Sequence, residues 1–242
     1  MSDAPDLRFR SDMTVELVKH SAADTDVLWA ARVSTAGEQS LDELEKDPER
    51  SRGLINFLMR DRHGSPFEHN SMTFFISAPL FVFREFHRHR VGWSYNEESG
   101  RYRELEPVFY VPDASRRLVQ EGRPGKYRFV EGTEKQHRLV TESLEDSYRR
   151  SYEAYQGMLA AGVAREVARA ALPVGLYSSM YATCNARSLM HFLGLRTQHE
   201  LARVPSFPQR EIEMVAERME EHWAGLMPLT HAAFNANGRV AP

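Results

Sequence analysis

The stretch Arg88-His89-Arg90-Val91-Gly92-Trp93-Ser94-Tyr95-Asn96-Glu97-Glu98-Ser99-Gly100-Arg101-Tyr102 decides how this chain is read. Three cations or near-cations open it, a short polar run follows, and an arginine with an aromatic closes it. An arginine presents a planar fork of donors suited to phosphate or carboxylate oxygens. Ser, Asn and Glu side chains can fix a polar ring by its donors and acceptors. The segment therefore reads as a site for an anionic, planar ligand such as a nucleotide. Taken alone, the triplet also admits a plainer reading. Basic residues at a helix end complement the helix dipole and form a solvated face.

Composition bounds the answer. The chain has 242 residues, 42% of them hydrophobic and 27% charged, ordinary values for a globular protein. The formal net charge is -3, so the surface as a whole does not ask for nucleic acid. The arginines of the opening stretch are a local feature, offset by Glu85, Glu97, Glu98 and Glu104. A single cysteine, Cys184, excludes an internal disulfide framework and any CxxC metal knuckle. Met1 to Arg10 has no apolar core suited to a signal peptide, and no run of about 20 apolar residues spans a membrane. A cytoplasmic location follows by default.

Along the chain, residues 1–12 are polar and expected to be mobile, with residues 13–242 forming one catalytic domain. Thr14 to Lys19 alternates like a half-buried strand. Asp24 or Thr25 is expected to cap a helix through Val33. Asp47-Pro48 opens another, with Leu54, Phe57 and Leu58 on its apolar face and Gly64 at its end. Met72 to Ser77 reads as a strand, and Pro79 opens a helix from Leu80 to about His87. The triplet falls at or just past its end. Val108 to Val111 reads as a strand, and 113–133, rich in Gly, Pro and charge, as a surface excursion. Gly122 to Tyr127 has the wrong spacing for a phosphate-binding loop. Thr133 to Ala161 forms a long helix with Leu144, Tyr148, Tyr152, Tyr155 and Leu159 as its buried stripe. Ala164 to Leu172 forms a second helix. Leu176 to Cys184 reads as a strand, Asn185 caps a helix toward Leu195, 204–209 is a loop, and Gln209 to about Leu226 is a final helix. Strands and helices mix without regular βαβ alternation. The fold class is α/β of the α+β kind, a mixed sheet packed with long helices, and not a doubly wound parallel sheet.

The histidines suggest a metal, because the chain has 10. Among His63, His69, His87 and His89, however, no pair sits four apart on a helix with a carboxylate between, and no cysteine assists. No metal site is expected.

The opening stretch resembles the signature of the flavin-dependent thymidylate synthases, the ThyX family. That signature is an Arg-His-Arg triplet, a spacer and an Asn-Glu-x-Ser-x-Arg-Tyr motif, here Asn96, Glu97, Ser99, Arg101 and Tyr102. The spacer from Val91 to Glu98 is one residue longer than the family's usual one, with the extra residue near Gly92-Trp93. The resemblance extends over nearly the whole chain, through Ala30-Ala31-Arg32-Val33-Ser34, Ser65-Pro66-Phe67-Glu68-His69, Arg165-Glu166-Val167-Ala168-Arg169 with Leu172-Pro173, and Asn185-Ala186-Arg187-Ser188-Leu189-Met190.

The resemblance implies reductive methylation of dUMP to dTMP, with 5,10-methylenetetrahydrofolate as one-carbon donor and NADPH reducing a bound FAD. It implies a homotetramer with shared active sites and no enzyme nucleophile. It places Ser65, Arg88, His89, Arg90, Glu97, Asn185, Arg187 and His191 at the flavin. It places Glu85, Arg88, Glu97, Ser99, Arg101, Arg169 and Arg196 at dUMP. Glu85 stands where members often carry Gln, and His191 where they often carry Asn. Arg196 would be the catalytic cation, favouring loss of the pyrimidine N3 proton by stabilising the anion, since an arginine cannot serve as the base. Arg196 lies nine residues after Arg187, half a turn out of phase, so it must come from a helix end or serve another ligand. Two other classes compete with this reading. One is a nucleic-acid-binding module stacking bases on Tyr95, Tyr102 and Phe109, which the acidic balance and lack of a basic tail oppose. The other is a metal-dependent nucleotide hydrolase built on the histidines.

Overall fold

A computed structural model describes residues 6–37, 47–123 and 126–242. The chain divides into two compact units. The first comprises Met1–Met13, Ser77–Phe86 and Glu97–Ser179; the second comprises Thr14–Ile76, His87–Asn96 and Met180–Pro242.

In the first unit, strand β1 (Arg8–Arg10) pairs in parallel with β5 (Val108–Tyr110). The segment expected to be mobile over 1–12 therefore carries a strand, held through backbone pairing; residues 1–5 lie outside the described residues. Helix α4 (Glu134–Ala160) forms because Thr133 and Gln136 exchange side-chain and backbone bonds at its start, the Gln136 Oε1 accepting from Thr133 N at 2.8 Å. Its buried stripe is Tyr148, Tyr152 and Tyr155, while Leu144 and Leu159 pack at the margin of the same cluster. Phe109 stacks on Tyr148 at 4.8 Å, and the Tyr152 hydroxyl donates to the Leu105 carbonyl at 3.2 Å. The expected helix 164–172 is a single α turn, α5 (Arg165–Ala168), followed by a 3-10 turn over Arg169–Ala171. Arg169 closes that turn, its N–H donating to the Arg165 carbonyl, so Arg165 and Arg169 lie one turn apart on the same side, and Pro173 cannot extend the helix. The excursion 113–133 contains an antiparallel hairpin, β6 (Val119–Arg123) with β7 (Lys126–Val130). Residues 124–125, between the two strands, lie outside the described residues. Helix α3 (Leu80–Phe86) completes this unit.

The largest sheet has the order β2-β3-β8-β4, comprising β2 (Thr14–Ser21), β3 (Ser71–Pro79), β4 (Trp93–Glu97) and β8 (Tyr177–Cys184), with most of its residues in the second unit. The alternation of β3 buries Met72, Phe74 and Ile76 completely. Helix α1 spans Asp24–Ala36, and its cap is Ala23, not Asp24 or Thr25. The Asp26 carboxylate reaches back to Ala23 N at 2.8 Å. Asp24 caps a different helix: its carboxylate accepts from Leu229 N at 2.8 Å and Thr230 N at 2.9 Å. Those residues open α8 (Pro228–Ala236), an element the sequence reading did not assign, although Pro228 at its first position is a helix-start signal. Helix α2 (Pro48–Arg60) is capped by Asp47 as expected. Its buried residues Ser51, Ile55, Leu58 and Met59 fall at helical spacing. Helices α6 (Ala186–Arg196) and α7 (Arg210–Leu226) fill the rest of the unit. No described helix is long and apolar enough to cross a membrane.

A buried ion pair ties the chain's last residues to α7 and α6. Arg239, 1% exposed in its side chain, forks onto Glu220 at 2.6 and 2.7 Å and donates to Thr197 Oγ1 at 2.9 Å. Burial alone would raise the Glu220 carboxyl, but hydrogen bonds from Arg239 and His231 and their charge hold it down at about 2. The folded value is depressed from 4.5, so this stabilisation is present above pH 4.5 and is lost as pH falls toward 2. Removing Arg239 takes the buried Glu220 carboxylate's full-charge partner and leaves it the His231 bond alone among those described. Arg239→Met should therefore cost about 3–5 kcal/mol in urea unfolding at pH 7. A loss below 1 kcal/mol would show that the pair is solvated in solution.

Candidate functional site

The Arg88–Arg90 triplet lies just past α3, in the turn before β4. What fixes it is the start of α6. Asn185 caps that helix, its Oδ1 accepting from Ser188 N at 2.9 Å. Ala186 N donates to Asn70 Oδ1 at 2.8 Å, and Ser188 Oγ donates to the Val91 carbonyl at 2.9 Å. Gly92 has φ 69°, and a Cβ there would lie 2.1 Å from Ser188 Oγ. The glycine is required twice, by backbone conformation and by space. It stands where the long spacer places its extra residue.

His89 is half-buried, and Arg88 and Arg90 are exposed. The His89 carbonyl accepts from the Tyr95 hydroxyl at 2.9 Å, and its ring meets Phe192 edge-on at 4.9 Å. Its Nε2 accepts from Nε of Arg196 at 3.1 Å. Burial first, then the charges of Arg196 and His191, lower the His89 pKa to about 4. The ring is neutral at pH 7, with its proton on Nδ1. Arg196 is the last residue of α6, a helix-end position, which is one of the two alternatives its phase relative to Arg187 left open.

Asn185, Arg187 and His191 also lie on or at α6, but they do different things. The Asn185 side chain is engaged as the cap. Arg187 pairs with Glu68 and donates to the Pro242 carbonyl at 2.6 Å, in space that a side chain at Gly64 would fill. Burial, then Arg187 and Arg62, lower the His191 pKa. Ser65 is exposed at the start of a 3-10 turn (Ser65–Glu68). It lines a cavity of about 600 Å³ together with Arg32, Ser34, Arg50 and His63. The sequence reading did not assign Glu68, Arg32 or Ser34 a role, although all three lie in the stretches it singled out.

In the first unit, a cleft of about 390 Å³ is lined by Glu97, Glu98, Gly100, Glu166, Arg169 and Ser178, with an apolar wall including Leu80 and Leu105. Glu97 accepts from Ser178 Oγ at 3.1 Å, and Glu98 accepts from Ser179 Oγ at 3.1 Å. Ser99 turns the chain, its carbonyl accepting from Tyr102 N at 3.1 Å. Arg101 pairs with Glu166 at 3.0 Å, both about half exposed. Glu85 is half-buried in α3 and is not among the residues lining this cleft. Ser178 and Glu166 are contributions that the motif reading left without a role; Ser178 has no local sequence signal.

Cys184 is buried, and burial pushes its thiol far above the ordinary range. A nucleophilic thiol needs the opposite environment. Among the described residues, no three His, Cys, Asp or Glu side chains gather as a metal-binding group.

With this geometry in view, comparison with known proteins is direct. Residues 16–229 match the family described as thymidylate synthase complementing protein. The chain is 84% identical to the flavin-dependent thymidylate synthase of Streptomyces avermitilis, each chain covered completely. It is 59% identical to that of Tropheryma whipplei, with 97% of each covered. Among solved structures, a UMP/dUMP methylase PolB from Streptomyces cacaoi bound with 5-Br dUMP superposes with a TM-score of 0.91. The identity is 58%, over 98% of this chain and 100% of that one. The chain belongs to the family of flavin-dependent thymidylate synthases.

Two outcomes test the site's construction. Gly92→Ala should destabilise by about 1–3 kcal/mol from crowding, beyond the cost of a positive φ. The crowding part should vanish in a Ser188→Ala background; equal costs in both backgrounds would remove the clash with Ser188. The second concerns His89. Its folded pKa is depressed from 6.5 to about 4, so the unfolded chain binds the extra proton between those values. Stability is therefore lost as pH falls from about 6.5 to 4. The thermal midpoint of His89→Gln should fall less steeply over that window than that of the wild type. Parallel curves would mean that His89 titrates normally.

Proposed function

We infer that this chain catalyses reductive methylation of dUMP to dTMP. The observation that carries the reading is the position of the motif's Glu97, Glu98 and Gly100 in a cleft that Arg169 and Ser178 also line. That cleft combines a cationic fork with acceptors against an apolar wall, the donor set for a nucleotide's phosphate and sugar. Glu85, Arg88, Glu97, Ser99, Arg101, Arg169 and Arg196 bind dUMP in this reading. The enzyme is a methyltransferase, as its relatives' names support.

The cofactor is a flavin, proposed to be FAD. The residues fit such a group: the cavity beside Ser65 offers Arg32, Arg50 and the Ser34 hydroxyl, donors suited to a pyrophosphate. Ser65, Arg88, His89, Arg90, Glu97, Asn185, Arg187 and His191 would hold it. When bound, a flavin supplies the hydride chemistry, while the protein supplies binding, orientation and electrostatics. Arg196 stabilises the negative charge that develops on the pyrimidine when N3 loses its proton. Burial and the neighbouring cation keep His89 uncharged beside it. NADPH as reductant, 5,10-methylenetetrahydrofolate as carbon donor, a homotetramer and a cytoplasmic location belong to the same reading, on the family resemblance.

Tritium release from C5-labelled dUMP tests the reaction. It should require a reduced pyridine nucleotide and methylenetetrahydrofolate, and the protein should carry flavin absorption bands. A protein that cannot be loaded with FAD, or that releases no tritium when loaded, would sink the reading. UMP belongs in a parallel arm, because a relative is described as a UMP/dUMP methylase. Cys184→Ser should retain dTMP formation, because the thiol is 2% exposed and poorly ionised. A folded variant that binds FAD and dUMP but makes no dTMP would make Cys184 chemical.

A further inference from the structure

We propose that His89 is a positioning residue for Arg196, its Nε2 lone pair fixing the plane in which that guanidinium meets the substrate. The proposal rests on the reading of Arg196 as the cation facing the pyrimidine.

Arg196 is held at both ends. Its main chain leaves α6 through Thr197, whose N–H and hydroxyl donate to the Leu193 carbonyl at 3.0 and 2.8 Å. Thr197 Oγ1 accepts from the buried Arg239, and the Thr197 carbonyl accepts from Ser206 Oγ. The side chain is held at Nε, which donates to His89 Nε2 at 3.1 Å. A bond at Nε leaves the two terminal nitrogens outside it. Those nitrogens form the edge an arginine uses for a planar partner. Fixing Nε sets the direction of that edge.

The acceptor is itself locked. Phe192, four residues before Arg196, meets the His89 ring at 72°. Trp93 packs on Phe192 at 5.4 Å and lies flat on Tyr95 at 5.7 Å, and Tyr95 anchors the His89 carbonyl. This aromatic support places the imidazole by packing as well as by its hydrogen bond. A charged imidazole would have no lone pair for Arg196 and would repel it, so the arrangement requires the neutral ring with Nδ1 protonated. Burial and the nearby cations favour that form. His89 thus orients the catalytic cation, whether or not Nδ1–H also serves the flavin.

The two ring nitrogens can be separated by substitution. Glutamine places an acceptor oxygen near the Nε2 position, and asparagine places one near Nδ1. His89→Gln should keep a kcat about tenfold or more above that of His89→Asn, since a small misplacement of a catalytic group is costly. The KM for dUMP and the flavin content should be similar in the two variants. A result in which His89→Asn equals or exceeds His89→Gln would overturn the proposal. So would equal losses in both variants that added FAD restores, since those would make His89 a flavin ligand only. A second readout needs neither flavin nor turnover. In flavin-free protein at pH 7, nitrogen-15 spectra should show His89 Nε2 as an unprotonated acceptor. The Arg196 Nε–H should be protected from exchange in wild type and His89→Gln, and not in His89→Asn. Protonation at Nε2, or an Arg196 signal indifferent to His89→Asn, would refute the bond. If the wild type makes no dTMP, the reaction assignment fails, and these spectra still decide the His89–Arg196 contact.

Discussion

The second unit's chemistry depends on one seating, that of the Val91–Gly92 turn against the first residues of α6. Three bonds make it: Asn185 to Ser188 N, Asn70 to Ala186 N, and Ser188 to the Val91 carbonyl. The first two satisfy donors that any helix start leaves open. The third pins the segment that carries His89 to the helix that carries Arg187, His191 and Arg196. A helix is a stiff ruler, so fixing its first turn also fixes where its last residue can reach. Gly92 is the condition for this, since any side chain there would occupy the place of Ser188 Oγ.

Electrostatics then act on a frame already set. Arg196 donates to His89, and a histidine can accept that bond only while its ring stays uncharged. Burial supplies most of that, and the arginine itself supplies more, because a second cation at that distance is unfavourable. Beyond the C-cap at the same end of α6 the logic is reversed. Glu220 is kept charged despite burial because Arg239 presents a full fork to it. The same Arg239 reaches Thr197, the residue after Arg196, so the strong pair and the end of α6 share one hydrogen-bonded chain. A histidine held neutral and a carboxylate held ionised are two answers to the cost of burying charge.

Much of this was legible in the sequence, for identifiable reasons. Asp47-Pro48, Asn185 and the tyrosine stripe of α4 are local signals, complete within a turn or two of chain, and they fold as written. Asp24 is the instructive exception. Its type marks a helix cap, and it is one, but for α8 far along the chain. Local reading sees the capping chemistry and cannot see which helix receives it. Ser178 is harder still, since its value lies in a hydrogen bond to Glu97 across the fold. The β6–β7 hairpin was hidden by composition: the stretch is rich in glycine, proline and charge, and period-2 alternation is weak there. His89 was found by resemblance, but its bond to Arg196, many residues away, follows only from the fold.

The cleft of the first unit raises one last physical question, because it presents carboxylates to a ligand proposed to be an anion. Each of these carboxylates has a partner: Glu97 has Ser178, Glu98 has Ser179 and Arg103, and Glu166 has Arg101. Their charge is therefore spent locally. The Arg101–Glu166 pair is half exposed, and exposed pairs of this kind contribute only about 0–1 kcal/mol. A phosphate carrying close to two charges, bound by parallel bonds to the same guanidinium, outweighs so small an interaction. Under the proposed function, a nucleotide phosphate would take Arg101 from Glu166 at that small cost. Acidic residues at an anion site are then consistent with binding, because Glu97 already accepts from a serine and Glu98 and Glu166 are already paired with arginines.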